Sequence, residues 1–425
     1  MRFVYTTCFY LLIPLILLRL LWRSIAAPAY AKRWAERFGF FPELTTDKKV
    51  IWLHTVSVGE FLAALPLIRR LQAHERVQLV ITTTTPTGSE RVRATLGESV
   101  FHVYAPYDVP DALVRFFKRV QPAVYLVMET ELWPNTLAAC AKRKVPALLI
   151  NGRLSEKSAR GYARFSGLVR PMLANLTSAL IQNKTDAERF VNLGLPSAQA
   201  QVTGSIKFDL SLTDELRERA VELKNQLSKH GQRFIWIAAS THQGEDEIIL
   251  DAFAQVRKSA DVHAQSLLLV LVPRHPERFD RVGQLCEARG FKTLRRSRGE
   301  VTADMDILLG DTMGELMLLF GASDIAFVGG SLVPNGGHNF IEPAAWGLSL
   351  LSGEHLFNFA EVSRLLQDAG ALTITKSADE LAQQLFLLIT DGQQRSDRGA
   401  KALQVAVENR GALDKTLTII STYIK

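Results

Sequence analysis

Acidic side chains beside predicted strands are the residues of this sequence best suited to proton transfer. Glu60 lies at the turn of "VIWLHTVSVGEFLAALPLIRRL" (50–71), where an apolar run ends and an amphipathic helix begins. Ser57 and Glu60 have the spacing of a capping box. The turn also belongs to the first βα unit, at the edge where parallel α/β folds bind ligands. An ionised carboxylate there is a competent general base for an alcohol, so helix capping and catalysis both stay open.

A second acidic pair lies in "METELWPN" (128–135), after another predicted strand. Glu129 and Glu131 point to the same side if the chain stays extended there. Two like charges so close together are costly when buried, which indicates a polar cleft or cationic partners. Capping of the following helix is an equally good explanation.

Lys207 lies in "VTGSIKFD" (202–209) and is of interest for its position at a domain junction. Gly204 and Ser205 precede it, but the sequence has no GxxxxGK[ST] phosphate loop, so the motif does not predict a phosphate-loop lysine.

Three segments of the second half follow predicted strands and predict a nucleotide pocket. Arg274 and His275 follow one strand, and an arginine there can bind phosphate with two parallel hydrogen bonds. "GDTMGELMLLFGASD" (310–324) has a glycine beside a helix start, where backbone N–H groups face an anion. "GGSLVPNGGHNFIEPAAWG" (329–347) is the densest glycine cluster of the chain. It contains Glu342, and an acid at such a site commonly binds ribose hydroxyls.

Metal binding is not predicted from the sequence. "ADMD" (303–306) has an Asp-x-Asp pattern, but it runs directly into a predicted strand. "STHQGEDE" (240–247) lacks the HExxH spacing and a second histidine nearby, so a zinc site is not expected. Its first residues instead predict a βα turn within reach of a ligand. We therefore expect neither a metal nor another cofactor.

Length, composition and cysteine spacing predict a two-domain protein of a reducing compartment. A chain of 425 residues exceeds one compact core and suits two domains of roughly 150 to 200 residues. It is 47% hydrophobic and 22% charged, as folded globular proteins are. Its three cysteines, Cys8, Cys140 and Cys286, lie far apart and have no paired spacing. This argues against a disulfide framework and a cysteine-based zinc site.

The candidate residues are positioned by alternating strands and helices. Strand-like runs are predicted at 50–56, 77–85, 100–107, 123–130, 147–152, 179–184, 234–240, 266–273, 306–311, 324–330 and 348–353, with helices such as 60–72, 88–96, 109–119 and 134–144 between them. This alternation predicts two doubly wound parallel α/β domains that face a cleft. A polar helical segment near residue 210 interrupts the series. We predict an anchor at 1–23, a first domain at 24–208 and a second at 209–425, which ends in helices.

The N-terminus and the charge distribution predict attachment to an anionic membrane surface. "FVYTTCFYLLIPLILLRLLW" (3–22) is almost wholly apolar, and as a helix it would be about 30 Å long, one hydrocarbon core. Basic residues follow it, which favours an uncleaved anchor over a signal peptide and places the main body in the cytoplasm. A helix lying in the membrane interface stays open. Residues 1–208 carry a net charge of +13 and residues 209–425 carry −6.

Seven motifs, taken together and in order, resemble the bacterial 3-deoxy-D-manno-octulosonic acid (Kdo) transferases of lipopolysaccharide synthesis. They are "WLHTVSVGE", "METELWPN", "NGRLSEKSARGY", "TGSIKFD", "PRHPER", "GDTMGEL" and "GGSLVPNGGHNFIEPAAWG". The resemblance covers nearly the whole chain. It implies a metal-independent glycosyltransferase of the GT-B fold at the cell inner membrane. The implied donor is CMP-Kdo and the implied acceptor is the lipid A precursor, lipid IVA.

The resemblance also implies residue roles. Glu60 would be the general base, and Glu131 and Lys207 would stabilise the transition state of an inverting transfer. The residues implied to bind CMP are Arg274, His275, Met313, Gly314, Glu315, Asn339, Phe340, Ile341 and Glu342. No nucleic-acid partner is expected. Two alternatives are a GT-B enzyme that uses a UDP-sugar on another lipid, and a membrane-tethered binding protein with a degenerate site.

Overall fold

A computed structural model describes residues 1–210, 212–229, 231–299 and 305–424, apart from the side chain of Ala26. Ala303 and Asp304, the first half of the motif at 303–306, lie outside these residues. The chain divides into two compact units. The first unit comprises Met1–Asp209 and Arg410–Lys425, and the second comprises Leu210–Asn409.

Each unit contains one seven-stranded sheet, built from the strands of the described residues. The strands are β1 Lys49–His54, β2 Val77–Thr83, β3 Phe101–Tyr104, β4 Val124–Met128, β5 Ala147–Gly152, β6 Ser178–Ile181, β7 Ala200–Val202, β8 Ile235–Thr241, β9 Leu268–Pro273, β10 Thr293–Arg295, β11 Ile307–Leu309, β12 Ile325–Val328, β13 Ser349–Ser352 and β14 Leu372–Ile374. Their orders are β3-β2-β1-β4-β5-β6-β7 and β10-β11-β9-β8-β12-β13-β14. All described strand pairs are parallel.

Helices connect the strands and cover the sheets. They are α1 Arg2–Ala26, α2 Trp34–Arg37, α3 Val58–Gln72, α4 Pro86–Leu96, α5 Pro110–Val120, α6 Pro134–Lys142, α7 Glu156–Ala163, α8 Ser166–Ala174, α9 Lys184–Asn192, α10 Asp214–Leu227, α11 Glu245–Arg257, α12 Val262–Gln265, α13 Phe279–Ala288, α14 Leu316–Gly321, α15 Ile341–Ala345, α16 Ala360–Asp368, α17 Ala378–Thr390, α18 Gly392–Glu408 and α19 Ala412–Ser421. Short 3-10 turns lie at Pro28–Ala31, Gly97–Ser99, Ser197–Gln199, Ile206–Phe208, Pro276–Arg278 and Arg296–Arg298.

The continuous apolar strands are buried on both faces, which is why they read as unbroken hydrophobic runs. In β1, Trp52 belongs to the core on one face of the first sheet, and Ile51 and Leu53 belong to the core on the other. Strand β9 is buried throughout its length in the same way. This confirms the predicted parallel α/β fold with two doubly wound sheets.

The strand order reverses beside the first strand of each sheet, and that place positions the candidate sites. In the first unit β1 lies between β2 and β4, and in the second β8 lies between β9 and β12. In open parallel sheets, ligands bind at such switch points, outside the carboxyl ends of the strands. Glu60 follows β1, and His242 follows β8.

The last helix belongs to a different unit from the one predicted from the sequence, which assigned 209–425 to the second domain. Helix α19 belongs to the first unit. The carboxylate of Asp209 accepts hydrogen bonds from the backbone N–H groups of Gly411 (2.5 Å) and Leu413 (2.6 Å). Leu413 and Ile420 join the core beneath α3. The chain therefore returns to the first unit after α18.

Candidate active site

The turn between β1 and α3 holds the Glu60 carboxylate by both of its oxygens. Glu60 Oε2 accepts the Val56 backbone N–H at 2.8 Å, and Oε1 accepts the Ser57 hydroxyl at 2.9 Å. The Ser57 oxygen in turn accepts the Glu60 N–H at 3.3 Å, so Ser57 caps α3 as the spacing predicts, but Glu60 reaches back to the N–H of Val56 and not to that of Ser57. Burial raises the pKa of Glu60, and these hydrogen bonds and the charge of Lys207 offset this only in part. A turn that caps α3 thus also holds a carboxylate of raised basicity.

Lys207 forms its ion pair with Glu129, a residue without an assigned role in the sequence analysis. Lys207 Nζ lies 2.8 Å from Glu129 Oε1, and Arg153 Nε lies 3.7 Å from Glu129 Oε2. Strand β4 ends at Met128, and Glu129 has a φ of +54°, so the chain does not stay extended through this pair of acids. A left-handed non-glycine residue is costly, and such residues cluster at functional sites.

Glu131 is the most strongly perturbed acid of this cluster. Burial, together with the charges of Glu60 and Glu129, raises its pKa to about 7. Unlike Glu129, it has no ion pair within the described part of the chain. Three carboxylates and Lys207 thus gather at the carboxyl edge of the first sheet. Such a cluster can accept a proton and stabilise separated charges, because its acids have different affinities for protons.

The corresponding edge of the second sheet is basic and rich in histidine. The rings of His242 and His338 are stacked, and their Nε2 atoms lie 2.7 Å apart. The centroid of the His275 ring lies 5.3 Å from that of the His242 ring. Burial lowers the pKa of His338 to about 4, and the charge of Arg274 acts in the same direction. Arg274 and His275 are exposed and available to an anion. The sequence placed His242 only near a ligand and assigned no role to His338, because their contact joins residues 96 apart.

Glu245 organises this edge, although the sequence analysis gave it no role. It is fully buried, and its carboxylate accepts four backbone N–H groups at 2.7 to 2.9 Å. The donors are those of His242, Gly330, Ser331 and Leu332. Three N–H groups of the glycine-rich loop therefore bind a protein carboxylate and are not free for a phosphate.

The segment before α14 contains Met313, Gly314 and Glu315, and the Glu315 side chain is already bound by protein groups. Met313 is exposed, and Gly314 has a φ of +87°. Glu315 is held by Arg296 through contacts of 3.0 and 3.2 Å and by the Thr312 hydroxyl. Burial alone would raise the pKa of Glu315, but these hydrogen bonds outweigh it and lower the pKa.

Of the four residues 339–342, two have side chains that cannot reach a ligand without rearrangement. Phe340 and Ile341 are 0% and 1% exposed and belong to the packing of α15. Asn339 Oδ1 accepts the Ile341 N–H at 3.0 Å. Burial raises the pKa of Glu342. A hydrogen bond with Asn339 and the charge of Arg274 offset part of this rise. Asn339 and Glu342 are thus the polar side chains of this segment, near Arg274.

Solved structures share this fold across different activities. A glycosyltransferase from Rickettsia africae aligns with 89% of this chain and 100% of its own, at a TM-score of 0.58 and 13% identity. A UDP-GlcNAc 2-epimerase from Neisseria meningitidis aligns with 85% of this chain and 99% of its own, at a TM-score of 0.54 and 14% identity. At these identities the likeness defines the fold. That fold is the GT-B fold, with one parallel sheet in each unit.

Sequence relatives define the family. Residues 32–210 match the family described as 3-deoxy-D-manno-octulosonic-acid transferase (kdotransferase). A 3-deoxy-D-manno-octulosonic acid transferase from Haemophilus influenzae is 42% identical over 100% of this chain and 99% of its own length. One from Bordetella pertussis is 33% identical over 88% and 87%. The chain belongs to the Kdo transferase family and is a glycosyltransferase.

Proposed function

We propose that the protein transfers Kdo from CMP-Kdo to a hydroxyl group of the lipid A precursor lipid IVA, with inversion at the anomeric carbon, in lipopolysaccharide biosynthesis. The observation that carries this is the arrangement of Glu60, Glu131 and Lys207 at one sheet edge. The family supports Kdo as the transferred sugar.

Glu60 is the general base of this proposal. The acceptor hydroxyl gives its proton to the Glu60 carboxylate while its oxygen forms a bond to the anomeric carbon. The bond from that carbon to the CMP oxygen breaks on the opposite side, and CMP leaves with the electron pair. A raised pKa makes the ionised carboxylate a stronger base. The Lys207 charge favours the ionised form of Glu60.

Glu131 and Lys207 stabilise the charges that develop during transfer. Ionised Glu131 offsets positive charge at the anomeric carbon, and the Lys207 ammonium offsets negative charge on oxygen. Fixed charges that need not reorganise are the most effective stabilisers of a transition state. The Glu129 ion pair holds the Lys207 ammonium in place.

CMP binds to the second unit in this proposal, with Arg274 and His275 as the charged groups that meet its phosphate. Asn339 and Glu342 supply polar contacts, whereas Phe340 and Ile341 act through the backbone, because their side chains are buried. Met313, Gly314 and Glu315 supply backbone groups beside α14. Protein cations and dipoles offset the charge of the departing CMP, so transfer needs neither a metal nor another cofactor.

The enzyme acts at the cytoplasmic side of the inner membrane in this proposal, with α1 as a monotopic anchor. Arg2–Ile25 is long and apolar enough to cross a membrane. However, one face of α1 lies on the first unit: Phe9 contacts Tyr107 and Trp133, with ring centroids 6.3 and 6.5 Å apart. Its opposite face is apolar and exposed, at Phe3, Leu11, Leu15, Leu18, Trp22 and Ile25. A helix docked on one side and apolar on the other suits the membrane interface.

Mass spectrometry of lipid IVA after incubation with the enzyme, CMP-Kdo and a chelator tests the proposal. We expect a mass increase of one or more Kdo units, which also counts the additions. An unchanged acceptor, with intact donor and folded protein, would reject this donor and acceptor. Transfer from a UDP-sugar would favour the second GT-B candidate.

A further inference from the structure

A cavity of about 260 Å³ lies in the first unit, between α1 and the sheet. Phe9 and Ile16 of α1 form one wall, and Trp52 and Tyr125 of the sheet form the opposite one. Trp133 and the segment that follows β3 complete it. The walls are mainly aromatic and aliphatic, as in sites for apolar ligands, and the volume suits a single chain better than a whole glycolipid.

The lining contains few free charges. Asp108 accepts the backbone N–H groups of Asn135 (2.9 Å) and Thr136 (2.7 Å) and the Thr136 hydroxyl (2.7 Å), so its oxygens are occupied. His54 Nδ1 lies 2.9 Å from the Thr82 hydroxyl, and burial lowers the pKa of His54 to about 4, which leaves the ring neutral at pH 7. Hydrocarbon can therefore enter without desolvating these groups further.

Two lining residues have buried polar groups without partners. Arg37 is 7% exposed, and its Nη2 donates to the Thr84 carbonyl oxygen at 2.8 Å, while its Nε has no partner among the described residues. The buried Tyr107 hydroxyl is also unpaired within the described chain. The Arg37 guanidinium stacks over the Tyr104 ring, with its Cζ 4.2 Å from the ring centroid, so protein groups enclose these atoms and shield them from the cavity. The cavity therefore offers mainly apolar walls, which suit the hydrocarbon of an acyl chain.

One wall of the cavity is linked by hydrogen bonds to the turn that holds Glu60. Thr84, in its lining, donates its hydroxyl to the Val56 carbonyl oxygen at 3.2 Å. The Val56 N–H in turn donates to Glu60 at 2.8 Å. Trp133 follows Glu131 by two residues. A ligand that fills the cavity thus extends towards the carboxylates that we assign to proton transfer.

From this geometry we infer that the cavity binds the hydrocarbon of one acyl chain of the acceptor lipid. The inference rests on the proposed function for the identity of the acceptor. It assigns α1 a second role, as a wall of the acceptor site in addition to an anchor. Acyl-chain binding there would hold the acceptor sugar near Glu60.

The test uses the full-length protein in vesicles and a lipid IVA analogue with a diazirine within one acyl chain. Irradiation followed by peptide mapping is expected to place adducts on cavity residues such as Ile16, Tyr107 and Trp133. Ile16→Trp fills the cavity, whereas Leu15→Trp adds the same ring to the exposed face of α1. We expect Ile16→Trp to lower cavity labelling and raise the KM for lipid IVA by about tenfold or more, at nearly unchanged kcat. Leu15→Trp should resemble wild type.

Three results would overturn the inference. They are adducts only on the exposed face of α1, equal effects of the two tryptophan variants, and cavity labelling by a diazirine phospholipid that excess lipid IVA does not displace. Ala105→Phe fills the cavity from the opposite side and replaces Ile16→Trp if that variant does not fold. Labelling requires no turnover. A wild-type protein that labels in the cavity but transfers no Kdo would therefore contradict the proposed function and support the lipid site.

Discussion

Glu60, Glu129 and Glu131 are acids of one cluster with three different environments. Glu60 is held by hydrogen bonds from its own turn, and Glu129 is neutralised by Lys207 and Arg153. Glu131 is partly buried and has no ion pair with any residue that the structure describes. Because of these differences the three acids can have different roles, although their positions in the sequence do not distinguish them. Glu131 carries the largest cost of ionisation, which has a measurable consequence for stability.

We predict that Glu131→Gln stabilises the first unit at pH 8 and has little effect at pH 5. The pKa of Glu131 is raised from 4.5 to about 7 in the folded protein, so the folded state holds this proton more tightly than the unfolded state. Stability is therefore lost as the pH rises from 4.5 through about 7, and glutamine removes that loss. Thermal unfolding at both pH values measures it, and we expect a Tm higher by about 2–4 °C at pH 8. An equal gain at both pH values would reject the assignment.

Among the structural elements, the loop between β12 and α15 is bound at its start by one buried carboxylate. Glu245, at the first position of α11, accepts N–H groups from this loop and from His242. The loop conformation that presents His338 and Asn339 is therefore set from another part of the chain.

Glu245→Gln is predicted to weaken CMP binding about tenfold or more, because the amide NH2 would face backbone donors and leave two of them unpaired. Isothermal titration with CMP measures this change. Glu287→Gln, at an exposed position of α13, is the matched control and should bind CMP like wild type. Unchanged affinity in the Glu245 variant would show that the loop forms without this carboxylate.

Helix α1 is predicted to keep both ends on the cytoplasmic side. Met1, which immediately precedes α1, lies beside α8, because a Cβ added to Gly167 would lie 3.1 Å from Met1 Cγ. In a Cys8→Ser background, Arg2→Cys and, as a control, Lys118→Cys on α5 can be labelled with a membrane-impermeant maleimide. Both should react in inside-out vesicles and neither in right-side-out vesicles. Opposite reactivity of the two positions would indicate a spanning helix.

The strongly apolar strands could be predicted from the sequence, and the weak ones could not. The run at 147–152 matches β5 at both ends. Strands β7, β10 and β14 were missed: each has three residues and lies at the edge of its sheet. A short edge strand has few buried positions, so it lacks the hydrophobic run that identifies a central strand.

The local geometry of the candidate site was predictable where the interacting residues lie in one turn. The cap of α3 by Ser57 is confirmed, because Ser57 and Glu60 occupy one turn. The Glu129–Lys207 pair joins residues 78 apart, and the left-handed Glu129 backbone has no sequence signal. Glu245 reads simply as an acid in a first helical turn. Contacts set by the packing of distant elements could not be derived from local patterns.

For the whole molecule, the chain crosses between its two units twice, near Asp209 and near Arg410. The closing helix α19 contributes Leu413 and Ile420 to the core beneath α3, the helix that begins beside Glu60. The stability of the Glu60 site therefore depends on the last residues of the chain.

We predict that Ile420→Ala destabilises the first unit by about 2–5 kcal/mol, because it removes a fully buried side chain. Hydrogen exchange read by mass spectrometry should rise in β1 and α3 and stay unchanged in β8 and β9. Val407→Ala, at a half-exposed position of α18, is the control and should leave both sheets unchanged. Faster exchange in the second sheet alone would contradict the assignment of α19.

Single-turnover Kdo transfer to lipid IVA by wild type and Glu60→Gln, followed by mass spectrometry, tests directly whether Glu60 is the general base. Glutamine keeps the size of Glu60 but cannot accept the proton. We predict a fall in transfer rate of about 10²–10⁴-fold, with unchanged CMP affinity and hydrogen exchange. Transfer at the wild-type rate by a folded Glu60→Gln variant would contradict Glu60 as the general base.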